Sequence, residues 1–217
     1  MSSAEPRLAV LVSGEGTNLQ ALIDAAAAGQ IHGRIGLVLS NVENARGLQR
    51  ARQAGVDARY VPVKSTRTAN YDGDLKRVLE DFEADLIILA GYMRILSPEF
   101  TTRFSDRTLN LHPSLLPRYK GVNTHRRVLD AGDRHHGATV HFVTAVLDGG
   151  PAVVQYRLAV AADDTEQTLS ARVHLGEHII LPKAVAWFCE GRLKLESGRV
   201  IFDGYPLAMP IVFEESS

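Results

Sequence analysis

In TLNLHPSLLP, Asn110 and His112 stand two residues apart, a spacing that on a strand aims an amide and an imidazole to one face. The amide N–H can polarise a carbonyl while the imidazole beside it moves a proton. A carboxylate, Asp148 in the run LDGG, precedes two glycines that let it approach a ligand closely; set against His112, it would orient the ring and stabilise its charge. Each motif also has a plainer reading, as a hydrogen-bonded histidine at a strand end and as a simple Asp-Gly-Gly turn. A third element, SGEGTNL at residues 13–19, leads from an apolar run into a helical pattern, where backbone N–H groups at the helix start could receive a phosphate. Leu19 occupies the third glycine position of a dinucleotide fingerprint, and no Walker lysine follows. A single phosphate remains as the ligand; the alternative is a tight turn capped by Thr17 or Asn18.

These residues need a scaffold that gathers them. Short β-branched runs at Leu8–Val12, Gly36–Leu39, Arg59–Val63, Leu86–Ala90, Thr108–Leu111, Ala138–Val143 and Ala152–Leu158 read as strands. Helical patterns fall at Asn18–Ala28, Ala45–Ala54, Ala69–Glu83, Pro98–Phe104, His125–Ala131 and Thr165–Cys189. Alternating strands and helices, with strands such as DLIILA apolar at consecutive positions, predict an α/β fold: a doubly wound, mostly parallel, Rossmann-like sheet with helices on both faces. The last two strands have a Gly-rich loop and no helix between them, which predicts an antiparallel addition at the C-terminal edge. RLKLESGRVIFDG reads as a hairpin turning at Ser197-Gly198. No linker composition interrupts the chain, so residues 1–217 are expected to form one domain, with 1–6 and 214–217 as flexible ends. In such a sheet, ligands bind beyond the carboxyl ends of the strands, where all three motifs would lie.

The chain of 217 residues carries 24 Lys and Arg against 25 Asp and Glu, so the broad basic face of a nucleic-acid binder is not expected. Nor is a membrane span, because no apolar stretch approaches ~20 residues. Cys189 is the only cysteine, which excludes an internal disulfide and favours the cytoplasm, as does the absence of a signal-peptide pattern. His125, His135, His136 and His141 crowd one region without any metal-ligand spacing, so no metal is expected and they are read as structural or pocket-lining. Trp187 and Phe188 read as core, and Cys189 as a small buried hydrophobe.

Taken in order, SGEGTNLQALIDA, LAGYMRILSPEF, LNLHPSLLPRYKG, NTHRRVLDAGD, HGATVHFVTAVLDGGP and ARVHLGEHIILP closely resemble the phosphoribosylglycinamide formyltransferase family over nearly the whole chain. The resemblance implies formyl transfer from 10-formyltetrahydrofolate, as cosubstrate, to the amine of glycinamide ribonucleotide in purine synthesis. It carries Asn110, His112 and Asp148 over as a catalytic trio. Gly16, Thr17 and Asn18 become the ribonucleotide phosphate site, and Glu177 a contact to the same substrate. Met93, Arg94, Ile95 and Leu96 match one wall of the folate pocket, with Thr144, Ala145, Val146, Leu147 and Asp148 on the other side. Arg67 in KSTRTANYD is the candidate for the family's folate-contacting arginine, with its spacing to Tyr71 open by one residue. The sequence leaves the oligomeric state open, a homodimer being one arrangement it allows.

Methionyl-tRNA formyltransferase shares the Asn-x-His, SLLP and Asp elements, but would call for a further C-terminal domain and a basic surface. Formyltetrahydrofolate hydrolase would carry an additional N-terminal regulatory domain. A nonenzymatic folate or nucleotide module is disfavoured by Asn110, His112 and Asp148 occurring together, and a nicotinamide oxidoreductase by Leu19.

Overall fold

The computed structural model describes residues 5–62 and 68–215, and side chains outside 63–71. The chain runs β1 (Arg7–Val12), α1 (Thr17–Ala27), β2 (Arg34–Ser40), α2 (Arg46–Gln53), β3 (Asp57–Tyr60), α3 (Thr68–Asp81), β4 (Leu86–Leu89) and α4 (Pro98–Arg103). It continues through β5 (Thr108–His112), α5 (Thr124–Ala131), β6 (His135–Phe142), β7 (Ala152–Ala159) and α6 (Glu166–Cys189). Four short strands follow: β8 (Leu193–Glu196), β9 (Arg199–Phe202), β10 (Tyr205–Pro206) and β11 (Ile211–Glu214).

Eight strands form the main sheet in the order β11-β7-β6-β5-β4-β1-β2-β3. β1 pairs in parallel with both β2 and β4, so the winding reverses there and opens a crevice beyond their carboxyl ends. Pleating divides β1 between two cores: Leu8, Val10 and Val12 pack with Leu19, Leu22, Leu48 and the α6 residues Val173 and Ile180, while Ala9 and Leu11 pack with Leu75, Leu79, Phe100 and Phe104. Each fully buried leucine contributes about 1.5–3 kcal/mol, so apolar character on both faces of the strand commits it to the sheet centre. α6 begins at a reciprocal cap in which Thr165 Oγ1 accepts from the Thr168 N–H and Thr168 Oγ1 accepts from the Thr165 N–H. Among the described residues, no helix is long and apolar enough to cross a membrane.

The doubly wound sheet and the antiparallel edge match the sequence expectation. β6 runs antiparallel to β5 and to β7, and β8–β10 form a separate small antiparallel sheet. Its turn places Ser197 and Gly198 at φ 50 and 75, the left-handed pair a two-residue hairpin needs. Most ends fall within two residues of the expectation, and three departures are more informative. β3 lies at Asp57–Tyr60 rather than Arg59–Val63, because this edge strand is selected by its ladder with β2 rather than by its apolar run; residue 63 is outside the described residues. β6 starts at His135, three residues before the expected Ala138. The C-terminal tail is more ordered than expected at Glu214 and Glu215: β11 pairs in parallel with β7, Glu214 bonds Arg157, and Glu215 bonds Arg172.

Candidate active site

Leu109 and Leu111 turn into the core under α6, so Asn110 and His112 face the opposite side of the sheet. Antiparallel pairing sets His141 opposite Asn110 and Thr139 opposite His112, on that same face. The His141 Nδ1–H donates to the Phe142 carbonyl at 2.8 Å, which leaves Nε2 as the acceptor for the Asn110 amide at 3.0 Å. Burial pushes the His141 pKa down to about 4, so its ring stays neutral at neutral pH and fixes which end of the Asn110 amide is the donor. The second Asn110 N–H is left for a ligand.

His112 is buried, and its Nε2–H donates to the Tyr119 carbonyl at 2.9 Å. Its Nδ1 lies 3.4 Å from Asp148 Oδ2. Both neighbours are acceptors, so the ring is flanked by the Tyr119 carbonyl on one side and the Asp148 carboxylate on the other. The Asp148 carboxylate is held by the Gly121 N–H at 2.8 Å and lies 3.9 Å from His141 Nε2. Tyr119, whose backbone is left-handed at φ 55, is anchored by a hydrogen bond from its hydroxyl to Asp133. Asn110, His112 and Asp148 are therefore brought together, and His141, read from the sequence only as structural or pocket-lining, joins them.

A cavity of about 100 Å³ adjoins Asn110, His141 and Asp148. Arg94, Ile95 and Leu96 wall it on one side and residues 144–148 on the other. Met93 does not line it; with Ile95, Val146 and Leu147 it presents exposed apolar surface on the same two loops. The first loop is tied down at both ends: Ser13 Oγ accepts from the Met93 N–H at 2.8 Å, and Asp72 Oδ2 accepts from the Ser97 N–H at 2.5 Å. Sequence reasoning passed over Ser13 and Asp72, although Asp72 belongs to the Tyr-Asp pair used to locate Arg67. Arg67 itself lies outside the described residues.

The loop before α1 shows why only one of its glycines is obligatory. Gly16 sits at φ 70, and a Cβ there would lie 2.5 Å from Gly47 Cα, whereas Gly14 has nothing within 4 Å. Gly16→Ala is expected to cost about 1–3 kcal/mol and Gly14→Ala under 1 kcal/mol, read as urea midpoints; equal midpoints would refute the packing argument. No side chain caps the first turn of α1, so the alternative of a cap by Thr17 or Asn18 is not formed. Their side chains reach α6 instead: Thr17 Oγ1 is 2.8 Å from His174 Nε2, and Asn18 Nδ2 donates to Glu177 Oε2 at 2.9 Å. His174 Nδ1 completes the clasp at 2.7 Å from Glu177 Oε2. The sequence signal for His174 was its i,i+3 spacing from Glu177 on one helix face. A larger groove of about 930 Å³ runs between α1 and α6, but of the candidate site residues it takes in only Thr17. The polar groups converge at the smaller cavity, which is the better site for chemistry.

His125 and His136 bond ring to ring at 2.9 Å, and burial followed by the nearby His125 lowers the His136 pKa to about 4. Among the described residues, no three His, Cys, Asp or Glu side chains form a metal-ligand group. Burial pushes the Cys189 thiol up to about 12, an unreactive state, and Trp187 packs edge-on against Phe202. His136 and His141 bind protons more readily in the unfolded chain than in the folded one. Stability is therefore expected to fall as pH drops from about 6.5 to about 4, by on the order of 3 kcal/mol per histidine. Urea midpoints across this range test it; replacing both histidines with glutamine should flatten the slope.

A family description for formyl transferases matches residues 6–185. The phosphoribosylglycinamide formyltransferase of Escherichia coli (strain K12) is 46% identical over 202 residues, covering 92% of this chain and 95% of that protein. That of Haemophilus influenzae is 44% identical over 202 residues, covering 93% and 95%. The solved structure of the phosphoribosylglycinamide formyltransferase from Coxiella burnetii, in complex with CHES, matches with a TM-score of 0.92 at 43% identity, over 96% of this chain and 99% of that one.

Proposed function

The chain belongs to the formyl transferase family, and from that premise we propose how its residues divide the work. It transfers the formyl group of 10-formyltetrahydrofolate to the amine of glycinamide ribonucleotide in purine biosynthesis. The observation that carries the assignment of roles is the convergence of Asn110, His112 and Asp148 beside a cavity walled by residues 94–96 and 144–148.

As the amine attacks the formyl carbon, the formyl oxygen gains negative charge. The free N–H of Asn110 and the Nε2–H of His112 are its donors. The His112 proton now rests on a carbonyl, so an oxygen of growing charge replaces a weaker acceptor rather than breaking an ion pair. Asp148 keeps the other side of the ring oriented and compensates its charge. The amine proton then passes to the departing folate nitrogen, through His112 or a water held at Asp148.

Residues 16–18 receive the ribonucleotide phosphate through helix N–H groups and the Thr17 hydroxyl, with Glu177 toward the ribose. Met93–Leu96 and Thr144–Asp148 enclose the folate, and Arg67 remains a candidate contact to it. We treat residues 1–217 as one formyltransferase domain, supported by Leu193 and Val200 of the small sheet sharing the core of the large one. A cytoplasmic setting accords with the unpaired, unreactive Cys189. Purified protein should form formylglycinamide ribonucleotide from the two substrates. No turnover, or transfer only to methionyl-tRNA, would sink the assignment.

A further inference from the structure

His174 belongs to none of the roles above, yet it bridges two residues assigned to the ribonucleotide. We propose that it is a proton-linked phosphate-binding residue: when charged, it attracts the substrate's phosphate to the start of α1 and frees the Thr17 hydroxyl to bind that phosphate. The inference rests on reading residues 16–18 as the ribonucleotide site.

The hydrogen-bond inventory carries it. Glu177 Oε2 accepts only, so His174 Nδ1 holds a proton in either charge state. In the neutral ring Nε2 is a lone pair, and the Thr17 O–H at 2.8 Å must donate to it. In the charged ring the Nε2–H donates to Thr17 Oγ1 instead, and the hydroxyl proton is released toward solvent. One proton thus adds a positive charge and converts a committed donor into an available one, beside a helix start that no side chain caps. Burial orders the pair suitably: the Glu177 side chain is 6% exposed and that of His174 44%, so an arriving anion meets the imidazole before the carboxylate.

The surrounding charges single out this histidine. The hydrogen bond to Glu177 raises the His174 pKa above its ordinary value, whereas burial lowers those of His178 on the same helix and His125 on α5. From α2, Arg50 donates to the Glu15 carbonyl and Arg46 pairs with the Glu15 carboxylate. Of these histidines, only His174 is shifted toward the charged form.

The test is calorimetry with ribose 5-phosphate, which carries the sugar and phosphate but no amine, in buffers of different ionisation enthalpy between pH 7 and 9. There the phosphate is already dianionic, so proton uptake reports the protein. Wild type should take up a proton on binding, with affinity falling about tenfold across the range, the scale of a charge-assisted hydrogen bond. His174→Gln, whose amide can still bridge Thr17 and Glu177, should bind without uptake at the weak, high-pH level throughout. Thr17→Val should bind more weakly while retaining the uptake. A flat wild-type affinity, no measurable wild-type binding, or uptake that persists in His174→Gln overturns the proposal. Turnover of glycinamide ribonucleotide by the same preparation separates the two readings: turnover without proton uptake refutes the role of His174 alone. Uptake without turnover supports His174 and refutes the reaction.

Discussion

Replacing His112 with alanine is expected to lower kcat for formyl transfer by about 10³-fold, the combined scale of a lost proton-transfer group and a lost oxyanion donor. The substitution spares the Asn110–His141 hydrogen bond and the Gly121 N–H that holds Asp148, so one donor and the carboxylate stay in place. The residual rate should then reflect binding, orientation and Asn110 alone. Stability should fall by only about 1–3 kcal/mol, because the Tyr119 carbonyl loses one partner in a partly buried setting. Steady-state kinetics with both substrates saturating, together with urea unfolding, separate the two effects. A loss of less than tenfold in a folded protein would remove His112 from the chemistry.

Gly150→Ala is expected to reduce kcat about 10²-fold without altering any group that touches substrate. A Cβ at this position would sit 1.9 Å from the Phe142 carbonyl oxygen, far inside contact distance, and the obstacle is strand backbone rather than a side chain that can swing away. The loop must retreat by more than an ångström, and Asp148, two residues earlier, retreats with it. Its 3.4 Å approach to His112 lengthens, and a misplacement of that size costs roughly two orders of magnitude. The same strain should lower stability by about 1–3 kcal/mol. Kinetics on the variant within twofold of wild type would mean that the loop does not position Asp148. The reading of LDGG as a carboxylate followed by two flexible residues was therefore incomplete: the second glycine is needed for a close approach.

Much of the site was legible because its signals are local. Asn110 and His112 share a face through the strand repeat, and the SGEGTN loop announces a helix start by its glycines and by the apolar run before it. The β1 and β4 segments declare burial on both faces by consecutive apolar residues, and that property made the doubly wound sheet readable. The β11 strand escaped because four residues with alternating exposure near a chain end resemble a tail until β7 supplies hydrogen bonds. β3 shifted for the same reason, as an edge strand defined by its partner.

The sequence by itself determined the residue types able to do the chemistry, the elements that carry them and the family to which their order belongs. Tertiary structure alone decided that His141 holds the Asn110 amide from 31 residues away, and that His174 reaches Thr17 across 157. Those pairs arise from strand order and from the packing of α1 on α6. Periodicity records which face a residue occupies; it carries no term for which distant face will meet it.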